Sequence, residues 1–223
     1  ANYKLNKLCV EKGIPKRNAS LHMVFTGNPG TAKTTVARLF AEIMKDENIL
    51  STGNFVEAGR ADLVGDHVGS TAPMIKKKFK EARGGILFID EAYALCDAYE
   101  HGFGDEAINT LVQEMENHRD DVIVIAGYPE PMKQFLDRNP GMKSRIAFQV
   151  EFEDYSVDEL CDITKLMVSK KQMTITDAAM EKLRARYAGV KGSKDYGNGR
   201  FVRKMLEEAE MNLAERVSRL NES

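Results

Sequence analysis

An α/β fold is what the sequence predicts: a parallel five-stranded sheet with helices on both faces, followed by a small all-helical domain. Three observations carry that expectation. Short, almost continuously apolar runs alternate with stretches of helical periodicity, the pattern of strands buried on both faces by crossover helices. Past residue 155 no long β-branched run remains and only helical patterns follow. The 223 residues, 43% hydrophobic and 30% charged, suit one main globular domain with a small appendage. The expected division is a large domain over residues 1–155, opening with a linker over 1–20, and a small helical domain over 156–223.

Residues 1–20 read as the tail of a helix and a polar connector, KGIPKRNAS. LHMVFTG (21–27) is a short apolar run ending in glycine, the first strand. TTVARLFAEIMKDE follows, with Val36, Ala37, Leu39, Phe40, Ile43 and Met44 at helical spacing. NFVEAG near residue 55 is the second strand, and PMIKKKFKEAR (73–83) a basic helix whose KKKFK run reads as a solvated face. GILFIDEA (85–92) is the third strand, closed by two acids. DEAINTLVQEMENH (105–118) is an amphipathic helix, DVIVIAGYP (121–129) the fourth strand and AFQVEF (147–152) the fifth. Ser156 and Glu159 make an S-x-x-E capping box that opens the first helix of the small domain. Helical stretches follow at about 177–189 and 199–219; the last sets Phe201, Val202, Met205, Leu206 and Ala209 on one stripe.

Composition narrows the function. The net charge of -2 disfavours a general nucleic-acid binder, which would be basic. No apolar run approaches the ~18 residues that cross a membrane, and no signal peptide opens the chain. Cys9, Cys96 and Cys161 are widely spaced with no C-x-x-C pair, which fits packing residues in a reducing cytoplasm rather than a zinc or redox motif. The opening at Ala1 rather than methionine suggests an excised fragment or a trimmed end.

Two motifs carry chemistry. Gly27, Asn28, Pro29, Gly30, Thr31, Ala32, Lys33, Thr34 and Thr35 spell GNPGTAKTT between a strand and a helix. That is nearly the phosphate loop G-x-x-x-x-G-K-[ST], in which glycines let backbone amides converge on phosphates at a helix N-terminus. Lys33 would reach the β- and γ-phosphates and Thr34 would ligate Mg²⁺. The departure is Ala32, where the pattern has glycine. The second motif, Ile86 to Glu91, ends a buried strand in two carboxylates, at the sheet edge where open α/β folds bind ligands. Asp90 can hold Mg²⁺ and Glu91 can polarise a water for attack on the γ-phosphate. The bland alternatives are a tight glycine turn and a helix-capping acid pair.

These blocks, with RADLVG, FG-EAINTLVQEMENHRDDVIVIAGY, NPG-SRI and the terminal GNGRFVR, resemble the AAA+ ATPases over residues 21–206. Within them the likeness is to the group that contains stage V sporulation protein K and the red-type rubisco activases. The resemblance implies ATP and ADP as ligands with Mg²⁺, ATP hydrolysis, assembly into a ring of six subunits, and a protein client; the charge balance and the lack of a long apolar run add the expectation of no nucleic acid or membrane as partner. It implies an arginine finger at Arg145 acting on a neighbour's nucleotide, and a sensor-2 arginine at Arg200, with Arg203 as the fallback. Tyr128 falls at the sensor-1 position, where many relatives carry a small polar residue. His67, Val68 and Gly69 match the pore loop that grips a threaded polypeptide, and residues 97–106 would form a second one.

The leading expectation is therefore a protein remodeller driven by ATP, in sporulation or, alternatively, on rubisco. A nucleotide-gated scaffold with little turnover is a further alternative, favoured by Ala32 and Tyr128. A clamp-loader-like DNA ATPase is disfavoured by the acidic balance. For Ala32 three cases exist: a left-handed backbone strained by alanine, a Cβ that crowds the phosphates, or near right-handed helical geometry that tolerates a methyl group. The retained charged residues favour the third.

Overall fold

The apolar runs fold as five strands: β1 (Met23–Gly27), β2 (Phe55–Ala58), β3 (Ile86–Ile89), β4 (Val122–Gly127) and β5 (Phe148–Phe152). The structure, a computed structural model, describes residues 20–67, 69–96, 103–118, 120–193 and 196–221. The strands form one parallel sheet in the order β2-β3-β4-β1-β5, with Phe55 opposite Ile86 and Ile86 opposite Val122. Every residue of β3 and β4 is buried, so both faces of the sheet are covered there. β5 is the exception to the expectation of a buried strand. It lies at the sheet's edge, with Phe148 44% and Val150 38% exposed.

The helices are α1 (Lys33–Asp46), α2 (Arg60–Leu63), α3 (Thr71–Ala82), α4 (Phe103–Asn117), α5 (Pro129–Arg138), α6 (Pro140–Lys143), α7 (Val157–Lys170), α8 (Asp177–Val190) and α9 (Gly199–Asn221). A 3-10 turn spans Ala92–Leu95. None of the helices among the described residues is long and apolar enough to cross a membrane. The chain forms two compact units, one from residues up to 25 with 34–150, the other from 26–33 with 151 onward.

In the first unit Leu87, Ile89, Ile123 and Ile125 pack with Leu63, Ile75, Phe79, Leu111, Met132 and Phe135. Phe79 is thus the buried member of the KKKFK run, while Lys76, Lys77 and Lys80 face water and Lys78 pairs with Asp62 at 3.3 Å. α1 buries Ala37, Ala41 and Met44 and leaves Val36, Leu39 and Ile43 largely exposed, so only part of its expected stripe is core. In the second unit Leu160, Cys161, Val168, Tyr187, Tyr196, Val202 and Leu206 make a separate core. A buried hydroxyl pair there is satisfied internally, Tyr187 Oη and Thr164 Oγ1 lying 2.8 Å apart. Of the α9 stripe, Val202 and Leu206 are buried, Phe201 and Met205 half-buried, and Ala209 is exposed. The capping box forms: Ser156 Oγ accepts from Glu159 N at 3.2 Å, and the Glu159 carboxylate accepts from Ser156 N at 2.7 Å. Cys96 and Cys161 are free thiols, and Cys9 lies outside the described residues.

One buried group makes the first unit sensitive to acid. His22, 2% exposed, accepts from Ile123 N at Nδ1 (3.1 Å) and has Nε2 3.5 Å from Met115 O. Burial lowers its pKa from 6.5 to about 4. The unfolded chain therefore binds a proton between those values that the folded chain does not, and stability is lost as pH falls through that window. The loss amounts to roughly 3 kcal/mol by pH 4. Urea midpoints should decline from pH 6.5 to 4 in the parent. His22→Asn, which keeps an acceptor near Ile123 N, should flatten that decline; an unchanged slope would remove His22 as its cause.

Candidate functional site

Gly27 to Lys33, the turn from β1 into α1, belongs to the second unit with the helical segment. Two of its glycines have no room for a side chain. A Cβ on Gly27 would meet Phe152 O at 2.6 Å, and one on Gly30, at φ +75, would meet Gly197 O at 2.2 Å and Arg200 N at 2.8 Å. Lys33 Nζ donates to Gly27 O (2.7 Å) and Asn28 O (2.9 Å), so the ammonium lies over the turn's own backbone. Thr31 Oγ1 closes the turn on Asn28 O at 2.8 Å. Thr34 is half-buried and Thr35 exposed in the first turn of α1, where the leading amides of any helix lack intrahelical acceptors. Such a turn can take up an anion through its amides and the lysine.

Ala32 does not have the right-handed geometry expected of it: its φ is +67. It stands immediately before α1, where the path needs a left-handed residue, and there an alanine Cβ crowds its own carbonyl at a cost of roughly 1–2 kcal/mol. Glycine would relieve that strain but adds freedom to the unfolded chain worth about 0.5–1 kcal/mol. Ala32→Gly should therefore change stability by about 0 to +1.5 kcal/mol. Because the backbone already follows a glycine-like path, ligand affinity should stay within about tenfold. A loss of stability in that variant would contradict the left-handed assignment.

The acid pair belongs to the first unit. Asp90 and Glu91 leave the carboxyl end of β3 and are exposed. Asp90 N donates to Ala58 O at 3.0 Å, and Asp90 Oδ1 accepts from Glu91 N at 3.0 Å. Glu91 is itself left-handed, at φ 49 and ψ 45, a strained conformation that concentrates at functional sites. Arg60, which sequence reasoning passed over, holds the turn that follows: its Nη1 donates to Ala94 O (2.6 Å) and Leu95 O (3.3 Å). Tyr128 caps α5 at the end of the neighbouring strand β4. Its ring stacks on Tyr93, with centroids 5.9 Å apart, which brings Tyr128 beside the Asp90–Glu91 turn. Burial and then the Glu91 carboxylate push the Tyr93 phenol up to about 12.

Arg145 follows α6 in the first unit, its Nη1 on Gly141 O (2.9 Å) and its Nη2 on Glu116 Oε2 (2.7 Å). Its guanidinium is thus engaged in a salt bridge within its own chain. His67 and Gly69 are exposed on the turn between α2 and α3, and Val68 lies outside the described residues. The base of that turn is pinned by Gly65 N donating to Thr71 Oγ1 at 3.1 Å, and Gly69 takes φ +82. Of the segment 97–106, residues 97–102 lie outside the described residues. Arg200 opens α9 in the second unit, with its backbone against Gly30 and its side chain exposed.

Sequence reasoning also missed a polar cluster against the glycine turn. Asn28 Nδ2 donates to both oxygens of Asp154 at 3.0 Å. Asn198 reaches Pro29 O, Asp154 and Tyr155 N, and Tyr155 Oη lies 3.4 Å from Thr31 O. Only the asparagine of GNGRFVR, a residue tolerant of left-handed turns, could have hinted at it.

Comparison with known proteins settles the family. Residues 23–153 match the ATPase family associated with various cellular activities (AAA), and residues 156–223 match the AAA lid domain. The chain belongs to the AAA ATPase family. It is 43% identical over 209 residues to stage V sporulation protein K of Bacillus subtilis (strain 168), covering 92% of this chain and 65% of that protein. It is 44% identical over 208 residues to protein CbbX of Cereibacter sphaeroides, covering 92% and 67%. It is 42% identical over 216 residues to the chloroplastic ribulose bisphosphate carboxylase/oxygenase activase of Cyanidioschyzon merolae, covering 96% and 73%. The chain thus spans about two thirds to three quarters of the length of these AAA relatives, and nucleotide is the ligand its family uses.

Proposed function

We propose that this AAA chain is an ATP-hydrolysing motor that assembles as a ring, of six subunits, and remodels a protein client. The observation that carries the reading is the turn at 27–33, whose glycines cannot bear side chains and whose lysine lies over it, opening a 14-residue helix. Those features fit a phosphate cradle: amides from Gly30 to Thr34 bind the phosphates, and Lys33 exchanges its two backbone carbonyls for phosphate oxygens. Thr34 and Asp90 would hold Mg²⁺, which supplies charge neutralisation on those oxygens. Glu91 takes the proton of the attacking water, and Tyr128 orients that water. Arg200 reaches the γ-phosphate from the helical segment, and Arg145 leaves Glu116 to complete the site of the adjacent subunit. His67, Val68 and Gly69 grip the client. In this division, residues up to 155 form the nucleotide domain and 156–223 the lid.

The relatives name both sporulation and ribulose bisphosphate carboxylase/oxygenase, and we leave the client as a protein of either setting. A nucleotide-gated scaffold with little turnover is the second reading, favoured by the left-handed alanine at position 32. Phosphate release from ATP, followed across protein concentrations, separates them. A motor completed in trans should show activity rising faster than linearly with concentration, with rings visible by negative stain in ATP. Nucleotide binding without phosphate release would favour the scaffold, and linear activity would contradict the shared site.

A further inference from the structure

The glycine turn is held from its carbonyl side. Four consecutive carbonyls are occupied: Asn28 O by Thr31 Oγ1 and Lys33 Nζ, Pro29 O by Asn198 Nδ2 (3.2 Å), Gly30 O by Gly199 N (3.0 Å), and Thr31 O by Tyr155 Oη (3.4 Å). Three of those donors come from the segment after residue 151. Asn198 is central: it is fully buried, left-handed at φ 49, and uses both ends of its amide. Its Oδ1 accepts from Tyr155 N at 2.9 Å, and its Nδ2 donates to Pro29 O and, at 2.8 Å, to Asp154 Oδ1. Asp154 in turn accepts from Asn28, and Tyr196 Oη donates to Tyr155 O. A buried amide satisfied on both ends fixes what it touches, because each lost bond leaves a desolvated partner.

We infer that Asn198 is a positioning residue for the phosphate loop: it holds Pro29 O directly and, by accepting from Tyr155 N, fixes the residue whose hydroxyl reaches Thr31 O, and thereby keeps Ala32 in the left-handed conformation that glycine would adopt unaided. The inference rests on the nucleotide reading above. It accounts for a working loop that lacks its last glycine. The outward ties turn the loop amides toward the ligand, and the strain at Ala32 is offset by bonds made elsewhere in the same unit.

Asn198→Gly tests this, since glycine keeps φ 49 without strain and removes only the side chain. ADP affinity by calorimetry should fall tenfold or more. Hydrogen exchange of the Gly199 amide, which donates to Gly30 O, should quicken at least tenfold in the free protein. Adding Ala32→Gly, which needs no external hold, should bring ADP affinity back to within about threefold of the parent. That recovery is the result a general structural defect would not give. Asp154→Ala, an exposed change that leaves both cores untouched, should weaken ADP about threefold in the same direction. Unchanged ADP affinity and exchange in Asn198→Gly would overturn the inference, as would a loss that Ala32→Gly does not recover. A parent chain that binds no ADP would overturn the nucleotide reading instead. The exchange measurement then decides the hold on its own, quickened exchange supporting it and unchanged exchange refuting it.

Discussion

Arg145→Ala should lower ATP turnover by roughly 10³-fold or more while leaving nucleotide affinity of the isolated subunit nearly intact. The reasoning starts from charge. Phosphoryl transfer spreads negative charge over the γ-phosphate oxygens, and a guanidinium supplied by a neighbour stabilises that charge only while the transfer proceeds. In the free chain the Arg145 guanidinium bonds to Gly141 O and Glu116, and the ion pair is partly exposed, its side chains 28% and 57% accessible. A pair so exposed contributes on the order of 1 kcal/mol or less, so a nucleotide can compete for the arginine. Two controls separate this role from a structural one. Glu116→Gln should leave turnover within about threefold, since in this account Glu116 only parks the arginine. Mixing Arg145→Ala subunits with Glu91→Gln subunits should restore part of the activity, because each supplies what the other lacks. If Glu116→Gln reproduces the full loss, the pair matters for structure, and Arg145 is not the finger.

Glu91→Gln should reduce turnover by about 10²–10⁴-fold, keep ATP bound and accumulate rings. The substitution preserves shape and removes the carboxylate proposed to accept the proton of the attacking water. The position suits that task. Glu91 stands just past a fully buried strand, its backbone strained at φ 49, and its side chain is exposed beside the stacked Tyr93 and Tyr128. Asp90, one residue earlier, is held on the end of the strand by the bond from Asp90 N to Ala58 O. Single-turnover phosphate release measures the effect, and turnover at the parent rate would sink the role assigned to Glu91.

The parallel sheet was legible because β1, β3 and β4 are short apolar runs with turn residues at their ends, a signal that depends on local composition alone. The capping box at Ser156 was legible for the same reason. What failed depended on neighbours. β5 carries Phe148 and Val150 yet lies at the sheet's edge, and an apolar run does not reveal whether anything covers it. The stripe of α1 includes Leu39 and Ile43, which periodicity assigns to the core and the packing leaves outside. Ala32 reads as a helix former, and its left-handed turn is imposed by contacts that sequence spacing hides. Asn198 meets Pro29 across 169 residues of chain, and Tyr155 meets Thr31 across 124. No local pattern joins them. Lys33, Asp90 and Glu91 were picked out by motif and Arg145 and Arg200 by the family resemblance, whereas the groups that hold the loop came from the structure.

The central claim is that GNPGTAKTT, with alanine in place of its last glycine, binds nucleotide. Calorimetric titration of the parent chain with ADP tests it most directly. The account predicts micromolar binding, on the order of -8 kcal/mol, and an Ala32→Gly affinity within about tenfold of the parent. No detectable heat from the parent, with binding appearing only in Ala32→Gly, would contradict it.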